Sequence, residues 1–352
     1  MADLKYKKHL EKIGRMRNDK RNRHDRFRLD ANERLAPLPS SIWDRFKKDL
    51  RQEDVLCYPE TEKFYEKLAV HLGVAVENLV LTSGVDGAIK NCFELFVNPG
   101  DAVVYPEPTF GMVEVYVKLF QAIPKKVSFH RRSLAIQDVI DAIDDRVSFV
   151  FLPNPNSPSG HYFQNTDLEQ LIKACSEKGI GLLIDEAYFG FSSGTAMDAV
   201  FKYENVAIAR SFSKVYGLAG LRIGYLVASA KLAALLYKFR GMYEVNQLAI
   251  KLASLILDNE KEVYQYGALT KEGRDFFVSE MVKRGFGAIS TDANFVYVDF
   301  RGKREALLSC LKEKDVLIRG SYNLEAFGES IRFTVGPVEV MKRLILMMDN
   351  IL

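Results

Sequence analysis

The chain has 352 residues, 48% of them hydrophobic and 27% charged, a balance ordinary for a globular protein. No apolar run approaches the ~18 residues that cross a bilayer, and the N-terminus lacks the apolar core of a signal peptide. The four cysteines (Cys57, Cys92, Cys175, Cys310) are far apart with no CxxC pair. That spacing argues against a disulfide framework or metal site and suits a reducing cytoplasm.

The net charge of +3 is unevenly placed. Residues 1–28 hold eleven Lys or Arg and four Asp or Glu, a local +7 that leaves −4 for the remainder. Such an arm can touch nucleic acid, a membrane surface or an acidic partner, or be solvated or draped over a neighbouring subunit. It has few aromatics and no nucleic-acid motif, so neither nucleic acid nor membrane is expected as a partner. Residues 1–45 carry too little apolar content for a core of their own and are expected to dock elsewhere.

Residues 60–72 show helical spacing, with Phe64, Leu68 and Leu72 on one face. NLVLTSG reads as a strand ending in a glycine turn, followed by the helix VDGAIKNCFELF. DAVVYPEP is a second strand, followed by a helix from Phe110 to Phe120. RVSFVFLPNP, GIGLLIDEAYF and NVAIARSFS are further apolar strands with helical stretches between them, and another strand spans Ile223 to Val227. Apolar strands alternating with amphipathic helices predict an α/β fold, a mostly parallel sheet covered on both faces. Beyond residue 230 come two long helical stretches (KLAALLYKFRGMYEVNQLAIKLASLILDNE and VYQYGALTKEGRDFFVSEMVKRG), then short strands and helices. The expected organisation is an arm over 1–45, a large domain over 46–250 and a smaller α+β domain over 251–352.

In a parallel sheet the ligand sits outside the carboxyl ends of the strands, and polar residues gather at those ends here. Lys214 follows Ser211 and Ser213 and precedes Arg222 by eight residues, between two apolar strands. An isolated buried ammonium is expensive, so this lysine must be paired, neutralised or used covalently, unless it is a surface residue of a loop. Two hydroxyls and a guanidinium beside it suit a phosphate. An amine beside a phosphate cradle is what pyridoxal 5′-phosphate (PLP) requires. Asp185 ends the strand GLLID, where a protonated ring nitrogen would compensate its charge; a capping carboxylate or a metal ligand is the alternative, though no His or Cys cluster is near to share a metal. Tyr188 can donate to a ring oxygen or belong to the core. The turn Ser83-Gly84-Val85-Asp86-Gly87 opens a helix and offers backbone N–H groups to an anion. Asn156 and Ser157, in NPNSPSG, can reach the cleft, and Phe110 can stack on a planar ring or pack in the core. Arg319 and Arg332, each on a short apolar strand, need an anion: a substrate group or an internal carboxylate.

Read together and in order, LDANER, Tyr58-Pro59, SGVDGAIK, PEPTFGMVEVY, NPNSPSG, IDEAYF, SFSKVYGLAGLRIGY, VLIRG and IRFTVG resemble the fold-type I, PLP-dependent aminotransferases of class I/II, closest to the histidinol-phosphate aminotransferase group. The resemblance runs from about Leu29 to Val335–Pro337. It implies a PLP enzyme moving an amino group from a small, phosphorylated amine or amino acid to a 2-oxo acid. Lys214 would form the Schiff base and move the proton, Asp185 would pair with the ring nitrogen, and Tyr188 would bond the ring's phenolic oxygen. Phe110 would stack on the ring, and either Asn156 or Ser157 would contact the cofactor. Ser211, Ser213, Arg222 and the backbone at Gly84, Val85 and Asp86 would hold the phosphate. Tyr58 would reach the cofactor of a second subunit, which implies a homodimer with shared sites. Arg332 would take the substrate carboxylate, Arg319 a second anionic group, and Asn32 of LDANER would contact substrate. No metal is implied. The threonine-phosphate decarboxylases share this scaffold, so decarboxylation of a phosphorylated amino acid is the alternative reaction. The sequence departs from the family at Ser157, where asparagine is usual, at Gly87, where glutamate is common, and at Glu244, where an amide is usual. An acid at 244 is unfavourable near an anion unless it turns away.

Overall fold

The protein is described here by a computed structural model covering residues 4–14, 22–130, 132–192, 194–319 and 328–349. In chain order its strands are β1 (Phe27–Arg28), β2 (Leu79–Thr82), β3 (Ala102–Glu107), β4 (Ile123–Ser128), β5 (Val147–Pro153), β6 (Gly181–Asp185), β7 (Val206–Ser211), β8 (Gly224–Ala228), β9 (Gly287–Ile289), β10 (Phe295–Asp299), β11 (Val316–Leu317) and β12 (Ile331–Thr334). Seven of them form one sheet in the order β2-β8-β7-β6-β5-β3-β4. All neighbours in it are parallel except β8, which runs antiparallel to β7 and β2.

The central strands are apolar along their length because both faces are covered. Val150, Leu152, Leu182, Ile184, Val206 and Ile208 face one core; Phe149, Phe151, Leu183, Ala207 and Ala209 alternate with them and face the other. The helix Gly84–Phe96 closes the second core with Val85, Ala88, Ile89, Cys92 and Phe93, one face at 3–4 residue spacing. The edge strand β4 is mostly exposed and carries Lys125 and Lys126, which discourage pairing with another chain.

A third core holds Phe277 and Met281 of the helix Glu260–Lys283, Val296 and Val298 of β10, Ile331 and Phe333 of β12, and Leu344 and Met348 of the last helix. β10 pairs antiparallel with both β9 and β12. Residues 27–29 belong with this unit: β1 pairs with β11, and Leu29 is buried in the third core. From there the chain crosses to the large sheet. Lys214 Nζ donates to the Ala31 carbonyl at 2.9 Å, and Arg34 Nη1 to the Val215 carbonyl at 3.1 Å.

The first long helical stretch read from the sequence is broken. A helix spans Ala230–Leu236, a 3₁₀ turn follows at Tyr237–Phe239, and a new helix starts at Gln247. Asn246 caps it, its side chain accepting from Ala249 N, a local signal that overrides the continuous apolar period. The helix expected from Phe110 to Phe120 is Met112–Leu119, and the strand expected from Ile223 to Val227 is Gly224–Ala228. Among the described residues no helix is long and apolar enough to cross a membrane, and no group of three or more His, Cys, Asp and Glu could hold a metal ion.

Candidate active site

A cavity of about 320 Å³ opens at the carboxyl ends of β5, β6 and β7, within the size range of small-molecule sites. The strands end there together because they are parallel, and the loops that follow supply the walls.

At one end lies an anion cradle. The helix Gly84–Phe96 points its N-terminus inward, and Val85 and Asp86 line the cavity. Gly84 has φ +77°, a conformation strained for any residue with a side chain, and a Cβ there would stand 2.8 Å from Arg222 Nη2 and displace the guanidinium. Arg222 itself has φ +55°, a strained left-handed conformation for a branched-off long side chain. Its Nη1 lies 3.4 Å from Ser213 Oγ and 3.2 Å from the Ala219 carbonyl, and its Nη2 3.4 Å from the Ser83 carbonyl. Ser211 Oγ accepts from Ser213 N at 2.9 Å, folding the two hydroxyl residues toward the same space. A guanidinium, hydroxyls and a helix N-terminus together favour a phosphate. Glu244 does not line the cavity: its carboxylate accepts from Ser83 N (2.9 Å) and Oγ (3.1 Å), just before that helix, and from Gly241 N (3.2 Å).

Asp185 sits at the end of β6, and its Oδ1 accepts from Ala187 N at 2.9 Å. Burial pushes its carboxyl up to about 7, against the pull of that N–H and of Lys214. A buried acid held near neutrality is poised to pair with a cation delivered by a ligand. Tyr188 lines the wall three residues on, edge-on to Phe295 at 5.7 Å between ring centroids. Lys214 Nζ lies 5.7 Å from the Tyr188 ring centroid. Phe110 and Ser157 complete the lining among the expected residues.

Besides Gly84, five expected residues lie outside this lining. Asn156 is fully buried in its own loop, with Nδ2 donating to the Pro108 carbonyl (2.9 Å) and Ser159 Oγ (2.6 Å), and Oδ1 accepting from Thr109 (3.1 Å). Of the two candidates in that loop, Ser157 is the one that faces the cavity. Asn32 is buried with its Nδ2 on the Tyr188 phenol oxygen at 2.8 Å. Tyr58 is exposed and stacks on Tyr243 at 4.1 Å. Arg332 is buried on β12, its Nη2 donating to the Asp30 carbonyl at 2.6 Å, and Arg319 lies across a bridge from it.

The structure also brings in residues the motifs did not single out. Glu33 lines the cavity and is held by Arg23 Nη2 at 3.2 Å and Arg28 Nε at 3.0 Å. Behind Asp185, Glu186 and Arg210 form a buried ion pair at 3.0 Å, joined by Thr195. A carboxylate directly after Asp185 and an arginine four residues before Lys214 were visible in the sequence, but their pairing across two strands was not.

PLP fits this donor set. Its phosphate has the cradle at the start of the helix Gly84–Phe96, its ring nitrogen a buried acid in Asp185, and its aldehyde the amine of Lys214.

Comparison with known proteins agrees. The family model for aminotransferase class I and II matches residues 25–346. The chain is 32% identical over 327 residues to a histidinol-phosphate aminotransferase of Thermoanaerobacter sp. (strain X514), covering 91% of each. The crystal structure of histidinol-phosphate aminotransferase from Sinorhizobium meliloti in complex with pyridoxal-5′-phosphate superposes with a TM-score of 0.81 at 23% identity, covering 92% of this chain and 90% of that one. L-threonine-O-3-phosphate decarboxylase from Porphyromonas gingivalis superposes with a TM-score of 0.78 at 20% identity, covering 92% and 98%. Both superpositions speak for the fold, and the family model and the 32% identical relative speak for the kind of enzyme. The chain belongs to the class I and II aminotransferases, PLP-dependent transaminases of fold type I.

Proposed function

We propose that this enzyme moves an amino group from a small phosphorylated amine to a 2-oxo acid, with histidinol phosphate as the first donor to test. The carrying observation is the convergence of Lys214, Asp185 and the Arg222 cradle on one cavity. When bound, PLP supplies an aldehyde that takes up amines and a ring that draws electrons from the carbon beside them. The chain's residues do the rest. Lys214 Nζ is the mobile amine: it holds and passes a proton within the cavity. Asp185 keeps a positive charge on the ring side, Tyr188 presents a phenol to the ring's oxygen, and Phe110 covers the ring face. Arg222, Ser211, Ser213 and the N–H groups of the helix starting at Gly84 hold the phosphate.

The choice of donor is supported by the name of the 32% identical relative. It is also supported by Arg319 and Arg332, two cationic side chains in register across a bridge of the small sheet, residue types that suit an anionic substrate group. Tyr58 stands beside Val55, Leu56, Met242 and Tyr243, all exposed. A second copy covering this strip would make a homodimer and carry Tyr58 toward the partner's cavity. The four cysteines are free, which supports a reducing, cytoplasmic setting. We divide the subunit into an arm (1–45), a large domain (46–250) and a small domain (251–352).

The test is the half-reaction. Purified protein loaded with PLP should show a visible absorption band that Lys214→Ala removes. Histidinol phosphate and glutamate should each convert the wild-type band, and a 2-oxo acid should restore it. Release of CO₂ from a phosphorylated amino acid, with no need for a 2-oxo acid, would overturn transamination in favour of decarboxylation.

A further inference from the structure

We infer that Asn32 is a positioning residue for Tyr188: its amide N–H, donated to the phenol oxygen, turns the phenol's own proton into the cavity. The inference rests on the cofactor site proposed above. Asn32 Nδ2 lies 2.8 Å from Tyr188 Oη, and both residues are buried. Asn32 has φ +53°, a left-handed conformation that asparagine adopts more readily than most residues.

The amide is clamped from the small sheet. Asn32 N donates to Thr334 Oγ1 at 3.1 Å, and the Asn32 carbonyl accepts from Asn294 Nδ2 at 3.1 Å. Thr334 Oγ1 also lies 3.1 Å from Asn32 Oδ1 and 2.9 Å from the Leu29 carbonyl. With Oδ1 turned to Thr334, the NH₂ group is what meets the phenol. A phenol has one proton. When its oxygen accepts from Asn32, that proton is available to the cavity that Tyr188 lines, and donation to the oxygen strengthens it as a donor. Thr334 shares β12 with Arg332, so the strand proposed to take the substrate anion also sets the phenol.

The charged groups around the phenol are Lys214, whose Nζ is 5.7 Å from its ring centroid, and Asp185 on the same strand end. Arg332 lies beyond Phe295, 5.3 Å above that ring's centroid. None is altered in the variants below. A hydrogen bond from Tyr188 to the cofactor's ring oxygen favours the anionic form of that oxygen, so losing it should raise the pH at which the bound cofactor's visible band changes.

The experiment is an absorbance titration of PLP-loaded protein with thermal melts in parallel. Asn32→Asp keeps the shape but replaces the donor with an acceptor, and Asn32→Gly removes the amide while tolerating the positive φ. Each should raise the midpoint by about 0.5–1 pH unit, the worth of one hydrogen bond. Tyr188→Phe should raise it too, and adding Asn32→Gly to Tyr188→Phe should produce no further shift. Thr334→Val should give a smaller rise of the same sign. Two results overturn the inference: Asn32→Asp titrating like wild type, which would mean the amide carbonyl faces the phenol, or an Asn32→Gly shift that adds to that of Tyr188→Phe. Lowered melting temperatures with unmoved midpoints would also overturn it, leaving a role in packing alone. A wild-type protein with no pH-dependent visible band would remove the cofactor reading first and this inference with it.

Discussion

Asp185 keeps its proton to about pH 7 because its charge is penalised by burial. An unfolded aspartate titrates near ~3.9, so between about pH 4 and 7 the folded state binds a proton that the unfolded state has lost. Cofactor-free protein should therefore lose stability as pH rises through that window, with no contribution from this group below it and a constant deficit above it. The deficit is on the order of a few kcal/mol. Asp185→Asn should abolish the slope, so that the cofactor-free variant melts above wild type at pH 8 and not at pH 5, as scanning calorimetry would show. A bound pyridinium would reverse the sign by giving the Asp185 carboxylate a counter-charge, so PLP should raise the melting temperature more at pH 8 than at pH 5. At this scale much was legible: a charge closing an apolar strand has few uses, which is why Asp185 and Lys214 could be singled out. The contact between Asn32 and Tyr188 could not be foreseen, because the two are 156 positions apart and an amide carries no sign of which partner it will meet.

Among the elements, the helix starting at Gly84 and the strand β8 meet backbone to backbone. A Cβ on Gly224 would lie 2.8 Å from the Arg210 carbonyl oxygen and 2.9 Å from Gly84 Cα. Neither neighbour is a flexible side chain, so Gly224→Ala must push the helix N-terminus away from the cradle. We expect a loss of about 1–3 kcal/mol in stability and at least tenfold in PLP affinity, measured by denaturant unfolding and by cofactor titration. The alternation of strand and helix could be read because buried parallel strands are apolar throughout. The direction of β8 could not, since an apolar run of five residues fits either orientation. The break between Leu236 and Gln247 was hidden for a related reason: helical periodicity persists across it, and only the Asn246 cap marks the restart.

For the whole molecule, Val55, Leu56, Tyr58, Met242 and Tyr243 are exposed large apolar side chains, with Tyr58 stacked on Tyr243, the kind of surface a second copy would cover. Sedimentation should give twice the 40.0 kDa chain mass. If Tyr58 serves the neighbouring site, mixing Lys214→Ala with Tyr58→Phe subunits should restore activity that neither has alone, because the hybrid holds one site with both wild-type residues. No restoration after subunit exchange would leave Tyr58 within its own subunit. The composition pointed to a globular enzyme, and the order of motifs to a family, but an interface is written in surface shape, which a linear pattern does not record.

The reversal of β8 has one further consequence. Because the chain leaves the sheet after Ser211 and returns at Gly224, a single loop delivers both the amine and the guanidinium. If PLP bonds to Lys214 and its phosphate pairs with Arg222, as proposed above, occupancy would staple that hairpin at two points eight residues apart in sequence. The cofactor would then be a cross-link as much as a reagent, and its loss would unfasten both ends of one segment at once.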